Sequence, residues 1–341
     1  MGDPSVTFIN FMNAFTRHLT LAVLGLVAGN LSAVDNCSGR ERWLSGEVRF
    51  FVSPDSDAVR QASEWRLSRP ADAALMDKLA EVPVAVWLDG DVDRVAGEVQ
   101  SHIQACRKQN ALPMLVLYNI PDRDAGDFAK GGARSKILYR RWISQVAVGI
   151  GTNAAVVLLE PDALGLMDHY PEAIRPERYA MLREALATLT RSGSVDVYLD
   201  AGNCAWTPAK EMACRLRQAG VDQARGFALN VASFQWTQDT LAYGRKLSRL
   251  VGNKHFVVDT SRNGRGPLPP ERDPEGLAWC NPPGRAVGPR PTTKTNEPLC
   301  DAFLWVKLPG ASDGPHRGGP PAGAWWPQNA LELVRNAQAT K

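Results

Sequence analysis

The residues best suited to chemistry in this chain are carboxylates that follow abruptly on apolar runs. The clearest case is AAVVLLEPDALGLM, Ala154 to Met167, where six apolar residues end in Glu160-Pro161-Asp162. An unbroken apolar run is what a strand buried on both faces requires. A carboxyl at its end meets apolar surroundings in which ionisation is costly, so it can keep a proton near neutral pH and donate it. Taken alone, the stretch fits equally well with Asp162 capping a helix that begins at Ala163. A second cluster, Asp122, Arg123 and Asp124, follows a run in YNIPDRDAGDF. Asp124 placed near Asp162 would raise its pKa by like-charge repulsion, and Arg123 could hold one of these charges. A solvated turn with a local ion pair is the plainer reading of that cluster. Asp200 ends a run in YLDAGNCAW beside Gly202, which suits close approach of backbone to a ligand or a structural pair with Arg262 or Arg123. Lys307 and Asp313 follow the last run in WVKLPGASDG, where Asp313 also reads as an Asp-Gly turn.

Seven apolar runs must position these groups: Val82–Trp87, Pro113–Tyr118, Ala154–Leu159, Val195–Leu199, Gly226–Asn230, His255–Val258 and Ala302–Val306. Helical patterns lie between them at Val92–Asn110, Ser135–Ile150, Arg178–Arg191, Pro208–Ala219 and Thr237–Val251. Alternation of this kind predicts a parallel α/β fold. Each run ends in polar or aromatic residues, among them Trp87, Asp89, Tyr118, Asn119, Asn203, Asn230, Asp259 and Lys307. Barrel enzymes gather their working groups at the carboxyl ends of their strands, whereas an open doubly wound sheet concentrates them at one switch point. Seven decorated ends therefore favour a barrel.

Composition narrows the function further. With 44% hydrophobic and 22% charged residues the chain is ordinary globular protein. A formal charge of +3 is too small to imply nucleic acid or an anionic membrane as partner. Ten tryptophans against six tyrosines suit the stacking of flat ligands. No Cys or His spacing of a metal site occurs, and neither a phosphate-binding glycine loop nor a G-x-S-x-G elbow is present, so no metal or cofactor is expected. Six cysteines permit disulfides without fixing a pairing. Arg17 and His18 precede an apolar stretch, Leu19 to Gly29, and Leu31-Ser32-Ala33 offers a cleavage site. Residues 1–33 are thus expected to be a signal peptide, with Met12 as an alternative start, and 34–341 one exported, soluble domain.

Carboxylate chemistry on aromatic platforms suits glycoside hydrolysis. The ordered motifs VWLDG, YNIPDRD, LEPDAL, YLDAGN, DTSRNG, WCNPPGRAVG, DAFLWVKLPG and GAWWPQNAL resemble glycoside hydrolase family 6, the inverting cellulases, from about residue 49 to 338. The resemblance implies a distorted seven-stranded parallel barrel, a TIM-barrel variant, acting without cofactor as a monomer on cellulose or soluble β-1,4-glucan. It implies Asp162 as catalytic acid and Asp124 as the carboxylate that raises the acid's pKa and relays a proton from water. Tyr118 would crowd the sugar, and Asp313 would be the base. Trp87, Trp206 and Trp279 match sugar-stacking positions, Asn230 and Lys307 hydroxyl-binding ones, with Asp89, Asp200 and Asn203 beside them. Inversion needs room for a water, so acid and base are expected about 6.5–9.5 Å apart or joined by a water chain. The chain departs from the family pattern at Ala311, where a Glu is usual, and at Ala129-Lys130, where a Ser is. Ala125 and His316 take the places of cysteines, so neither habitual bridge can form. Short connections after Trp279 and Asp313 resemble the open-cleft endoglucanases.

Overall fold

The computed structural model describes residues 43–338. The expected signal peptide, residues 1–33, and Cys37 lie outside them. Seven strands form one parallel sheet in the order β1-β2-β3-β4-β5-β6-β7. They are β1 (Val86–Leu88), β2 (Met114–Leu117), β3 (Ala155–Leu159), β4 (Val195–Asp200), β5 (Gly226–Leu229), β6 (His255–Asp259) and β7 (Cys300–Leu304). The two ends of this order approach each other, because Ala85 N donates to Trp305 O at 2.9 Å and Trp87 Nε1 to Val306 O at 2.9 Å. The sheet is thereby curled into a barrel whose β1 and β7 edges meet only beyond the strands, as the strand count and decorated ends predict.

Continuous apolar runs become strands because both faces are covered. Met114, Val116, Val156, Leu158, Tyr198 and Val257 fill the interior. Alternate residues Leu115, Leu117, Val157, Leu159 and Val197 face outward against helices. The expected helices are α3 (Val95–Lys108), α4 (Lys136–Ile150), α5 (Arg175–Leu189), α6 (Ala209–Gln218) and α7 (Thr237–Leu250). Ser135 caps α4 by accepting from Leu138 N at 3.3 Å, which fixes where that helix begins. Three more helices, α1 (Asp57–Trp65), α2 (Pro70–Ala80) and α8 (Pro327–Gln338), are additions to the sequence reading. They share a separate small core in which Ala58, Ala62, Met76, Leu79, Leu331 and Val334 meet Trp305 just past β7. None of the described helices is long and apolar enough to cross a membrane.

A polar network closes the amino end of the barrel, opposite the loops that follow the strands. Asp301 on β7 accepts from Tyr198 Oη at 2.7 Å, from Arg225 Nε and Nη2 at 3.0 and 3.1 Å, and faces His255 Nδ1 at 2.7 Å. Burial alone would push the Asp301 carboxyl up, but His255 and Arg225 outweigh it and hold the group below its usual range. Its contribution to stability is therefore full above about pH 4 and lost as pH falls. Asp301→Ala leaves the partly buried Arg225 without its carboxylate, an expected loss of about 2–3 kcal/mol in urea unfolding at pH 7. The folded variant should keep wild-type turnover, because the network lies at the far end from the strand-end carboxylates.

Candidate active site

The loops after the strands enclose a cleft of about 910 Å³. Asp162, Asp124, Asp313 and Tyr118 line it together, as do Trp87, Asp89, Asn203, Trp206, Trp279 and Lys307. Residues separated by up to 226 positions in the chain, from Trp87 to Asp313, are thus collected at one mouth. Asp200 and Asn230 are not on that surface; both are buried behind it. Asn230 Nδ2 donates to Asp259 O at 2.9 Å and its Oδ1 accepts from Gln235 N at 3.0 Å, so both ends of its amide are engaged within the protein.

Asp162 does not cap a helix. The turn after β3 runs through Glu160 and Asp162 with φ of 50° and 68°, left-handed values that a residue with a Cβ adopts at a cost of about 1–2 kcal/mol. Neighbouring carboxyls hold both. Glu160, buried, accepts from Asn119 N at 3.1 and 3.0 Å through its two oxygens, and from Ile120 N at 3.0 Å. Asp200 Oδ2 accepts from Asp162 N at 3.0 Å and from Gly202 N at 3.0 Å, while its other oxygen is buried without a partner. The strand ends of β2, β3 and β4 are latched by these contacts. No described residue donates a hydrogen bond to the Asp162 carboxyl, which is left to face the cleft.

The same arrangement sets the protonation states. Burial raises the Asp162 carboxyl well above the ordinary range, and Asp200, Asp124 and Asp313 add to this against the opposing Lys307 ammonium. Asp200 itself is pushed up to about 7, by burial first and by Asp259 in addition, against the backbone donors it accepts from. Asp124 is raised as well, chiefly by burial, although Ala129 N donates to it at 2.7 Å. Asp313 behaves in the opposite way. Burial would raise it, but Arg262 and Lys307 outweigh burial and hold it below the usual carboxylate range. Arg262 Nη1 donates to its two oxygens at 3.0 and 2.8 Å, and Lys307 Nζ lies 3.4 Å away.

Several residues not assigned to the site from the sequence help to build it. Asp259, at the end of β6, accepts from Ala232, Ser261, Val306 and Lys307 backbone N–H groups at 2.9–3.2 Å, and so fixes where Lys307 starts. Asn281 binds the loop after β7 through Asp313 N, Gly314 O and His316 O. Arg123, expected near Asp122 or Asp124, donates instead to Asp89 at 3.0 Å and to Tyr118 O and Ala129 O, with its guanidinium 4.5 Å over the Tyr118 ring. Tyr170 Oη donates to Asp122 O at 2.6 Å and accepts from Ala125 N at 3.0 Å. Aromatic surfaces stand around the carboxylates. Trp87 meets Tyr118 edge to face at 5.3 Å, and Phe128 contacts Trp279 at 5.7 Å. Trp206 rests on Gly165, where any Cβ would come within 2.7 Å of the ring. Among the described residues no group of His, Cys, Asp and Glu could hold a metal ion, and Cys106, Cys204, Cys214, Cys280 and Cys300 are free thiols.

Residues 45–337 match the description Glycosyl hydrolases family 6. The chain belongs to that family. It is 41% identical over 291 residues to Endoglucanase A of Cellulomonas fimi, covering 85% of this chain and 61% of that protein. The chain therefore spans about three fifths of that relative's length. It is 35% identical over 338 residues to Endoglucanase A of Thermobispora bispora, covering 96% of this chain and 70% of the other. Among solved structures it resembles the endoglucanase Cel6 from Mycobacterium tuberculosis, determined in complex with methyl-cellobiosyl-4-deoxy-4-thio-β-D-cellobioside. That likeness has a TM-score of 0.81 at 43% identity and covers 86% of this chain and 99% of that one. The seven-stranded parallel sheet with its helices is the fold that this resemblance implies.

Asp200 offers a direct check on the electrostatics of this family 6 site. A carboxyl whose folded pKa is raised contributes most below its unfolded value of about 3.9, and that contribution fades as pH rises to about 7. An amide does not titrate. The melting temperature of Asp200→Asn relative to wild type should therefore climb between pH 4 and pH 7 in thermal scans. A difference independent of pH would contradict the assignment.

Proposed function

We propose that the protein is an exported endo-β-1,4-glucanase that hydrolyses internal bonds of cellulose or soluble β-glucan with inversion. The observation that carries this reading is the Asp162 carboxyl, held on the cleft surface without a protein donor and kept protonated by burial and three neighbouring carboxylates. That is the state a general acid needs before it protonates a glycosidic oxygen. Tyr118, packed between Trp87 and the Arg123 guanidinium, is fixed beside it as a wall against which a sugar ring must distort. Trp87, Trp206 and Trp279 supply stacking surfaces for sugars on either side, and Lys307 a donor to hydroxyls.

Inversion requires a second group to take a proton from the attacking water. Asp313 is ionised throughout, as a base must be, but its ion pairs with Arg262 and Lys307 make it a weak proton acceptor. Asp124, whose pKa is raised, has the greater proton affinity of the two, and we assign it the relay from water. Asp313 then keeps Lys307 in place. Asp200 and Asn230 act from behind the cleft as positioning residues. The similarity to endoglucanases supports internal cleavage, as do the short connections after Trp279 and Asp313. The apolar stretch Leu19–Gly29 supports export.

Asp162→Asn should lower kcat on cellohexaose by roughly 10²–10⁴ with little change in KM. In Asp200→Asn the loss of a like charge lets Asp162 ionise more easily, so the alkaline limb of kcat should move to lower pH. NMR of the first product released from cellohexaose should show the α-anomer, and β-anomer first would overturn inversion. Viscosity of a soluble cellulose should fall early relative to reducing ends; a slow fall would favour a cellobiohydrolase.

A further inference from the structure

Beside the cleft lies a second hollow of about 510 Å³, lined by Trp236, Leu268, Arg272, Pro283 and Arg285 among others. At two places its boundary with the cleft falls between chain neighbours: Gln235 lines the cleft and Trp236 the hollow, and Pro267 lines the cleft and Leu268 the hollow. Gly266 lies under one face of the Trp236 indole. A Cβ there would come 2.2, 2.4 and 2.7 Å from Cε2, Nε1 and Cδ2, three atoms that are met together from above the ring plane and not from its edge. Trp236 is 44% exposed, and the opposite face of the ring is the one left to carry that surface. The seat is fixed. Gln235 N donates to Asn230 Oδ1 at 3.0 Å, Asn263 Nδ2 to Gln235 O at 3.0 Å, and Thr240 N to Trp236 O at 3.0 Å at the start of α7. Beneath the ring the buried Arg285 ties down the backbone, with Nη1 donating to the carbonyls of Arg265, Gly266 and Pro267 at 3.1, 2.8 and 2.8 Å.

The charges around this platform answer one another. Glu271, Asp273 and Glu275 accompany Arg272 on its turn, and Glu332 accepts from Gly284 N beside Arg285. Arg265 has a partner of its own. The exposed Arg272 on the rim therefore contributes N–H donors rather than net charge. A flat apolar face bordered by such donors suits a polar, uncharged ligand with an apolar face of its own. A β-linked glucose ring has that form, with C–H groups on its faces and hydroxyls around its edge. A glucan lying in the cleft and continuing past Gln235 and Pro267 meets Trp236 next.

We propose that Trp236 is the platform of an outer subsite, beyond the cleft, that stacks a glucose unit of a long, uncharged β-glucan chain. The inference rests on the proposed glucanase reading and lengthens its binding surface, so that long chains are preferred to short ones. The full chain and its Trp236→Ala variant should be compared on cellotetraose and on neutral hydroxyethyl cellulose. The ratio of kcat/KM on the polymer to that on the tetraose should fall roughly fivefold in the variant, the size of one aromatic stacking contact. Trp236→Tyr keeps a flat ring and should recover most of the ratio, which a merely structural role for the side chain would not require. Added salt should leave the loss in place, because no charge carries the contact. Affinity electrophoresis in hydroxyethyl cellulose, with Asp162→Asn in both proteins, reads binding without turnover, and Trp236→Ala should be retarded less. A wild type that neither hydrolyses nor is retarded by the polymer overturns the glucanase reading and this subsite with it. A wild type that hydrolyses, beside a Trp236→Ala variant that keeps the ratio and the retardation or loses activity equally on both substrates, overturns the subsite alone.

Discussion

The hydrogen bond from Asp162 N to Asp200 Oδ2 fixes the working end of this molecule. The turn after β3 holds two side-chain-bearing residues in left-handed conformations, and such a turn persists only where its surroundings over-determine it. Here two buried carboxyls do so, Glu160 from within the turn and Asp200 from the next strand. The groups that hold the backbone also load the region with negative charge and remove it from water. Geometry and proton affinity at Asp162 therefore share one cause. A change that slackened the turn would also relax the pressure that keeps the acid protonated.

The opposite wall is organised on the reverse principle. Asp313 is surrounded by Arg262, Lys307 and the Asn281 amide, and Asp259 ties down the start of the Lys307 segment through four backbone donors. Carboxyls on one side are pushed up by burial and like charge, while the one on the other is pulled down by cations. Two environments that drive pKa values apart are how one cleft can hold proton donor and anion at the same pH.

Strands and barrel were legible in the sequence because burial on both faces demands largely apolar runs; Ala155–Leu159 has no polar residue. Helices α1, α2 and α8 escaped notice because they pack on one another and on Trp305 rather than between successive strands. At the site, Asp162 and Asp124 were visible as carboxylates at strand ends. Their neighbours Asp200 and Asn230 carried the same signal yet face inward, since one residue of turn decides between the cleft and the wall behind it. Asn281 had no local signal, because its partners Asp313 and Gly314 lie more than 30 positions away. The sequence reading of Arg123 found its segment but not its partner, Asp89.

Ala125 and His316 stand where covalent bridges are usual in the family, and in each place hydrogen bonds join the same loops. Tyr170 Oη joins the Asp122–Ala125 turn. Asn281 and Arg317 join the backbone of residues 277–281 to that of 314–317. Such clasps have no reduction potential, so these loops would be shaped alike in an oxidising and a thiol-rich medium. They also open and close without bond cleavage. Displacing the segment that carries Asp124 would thus break hydrogen bonds and no covalent bond.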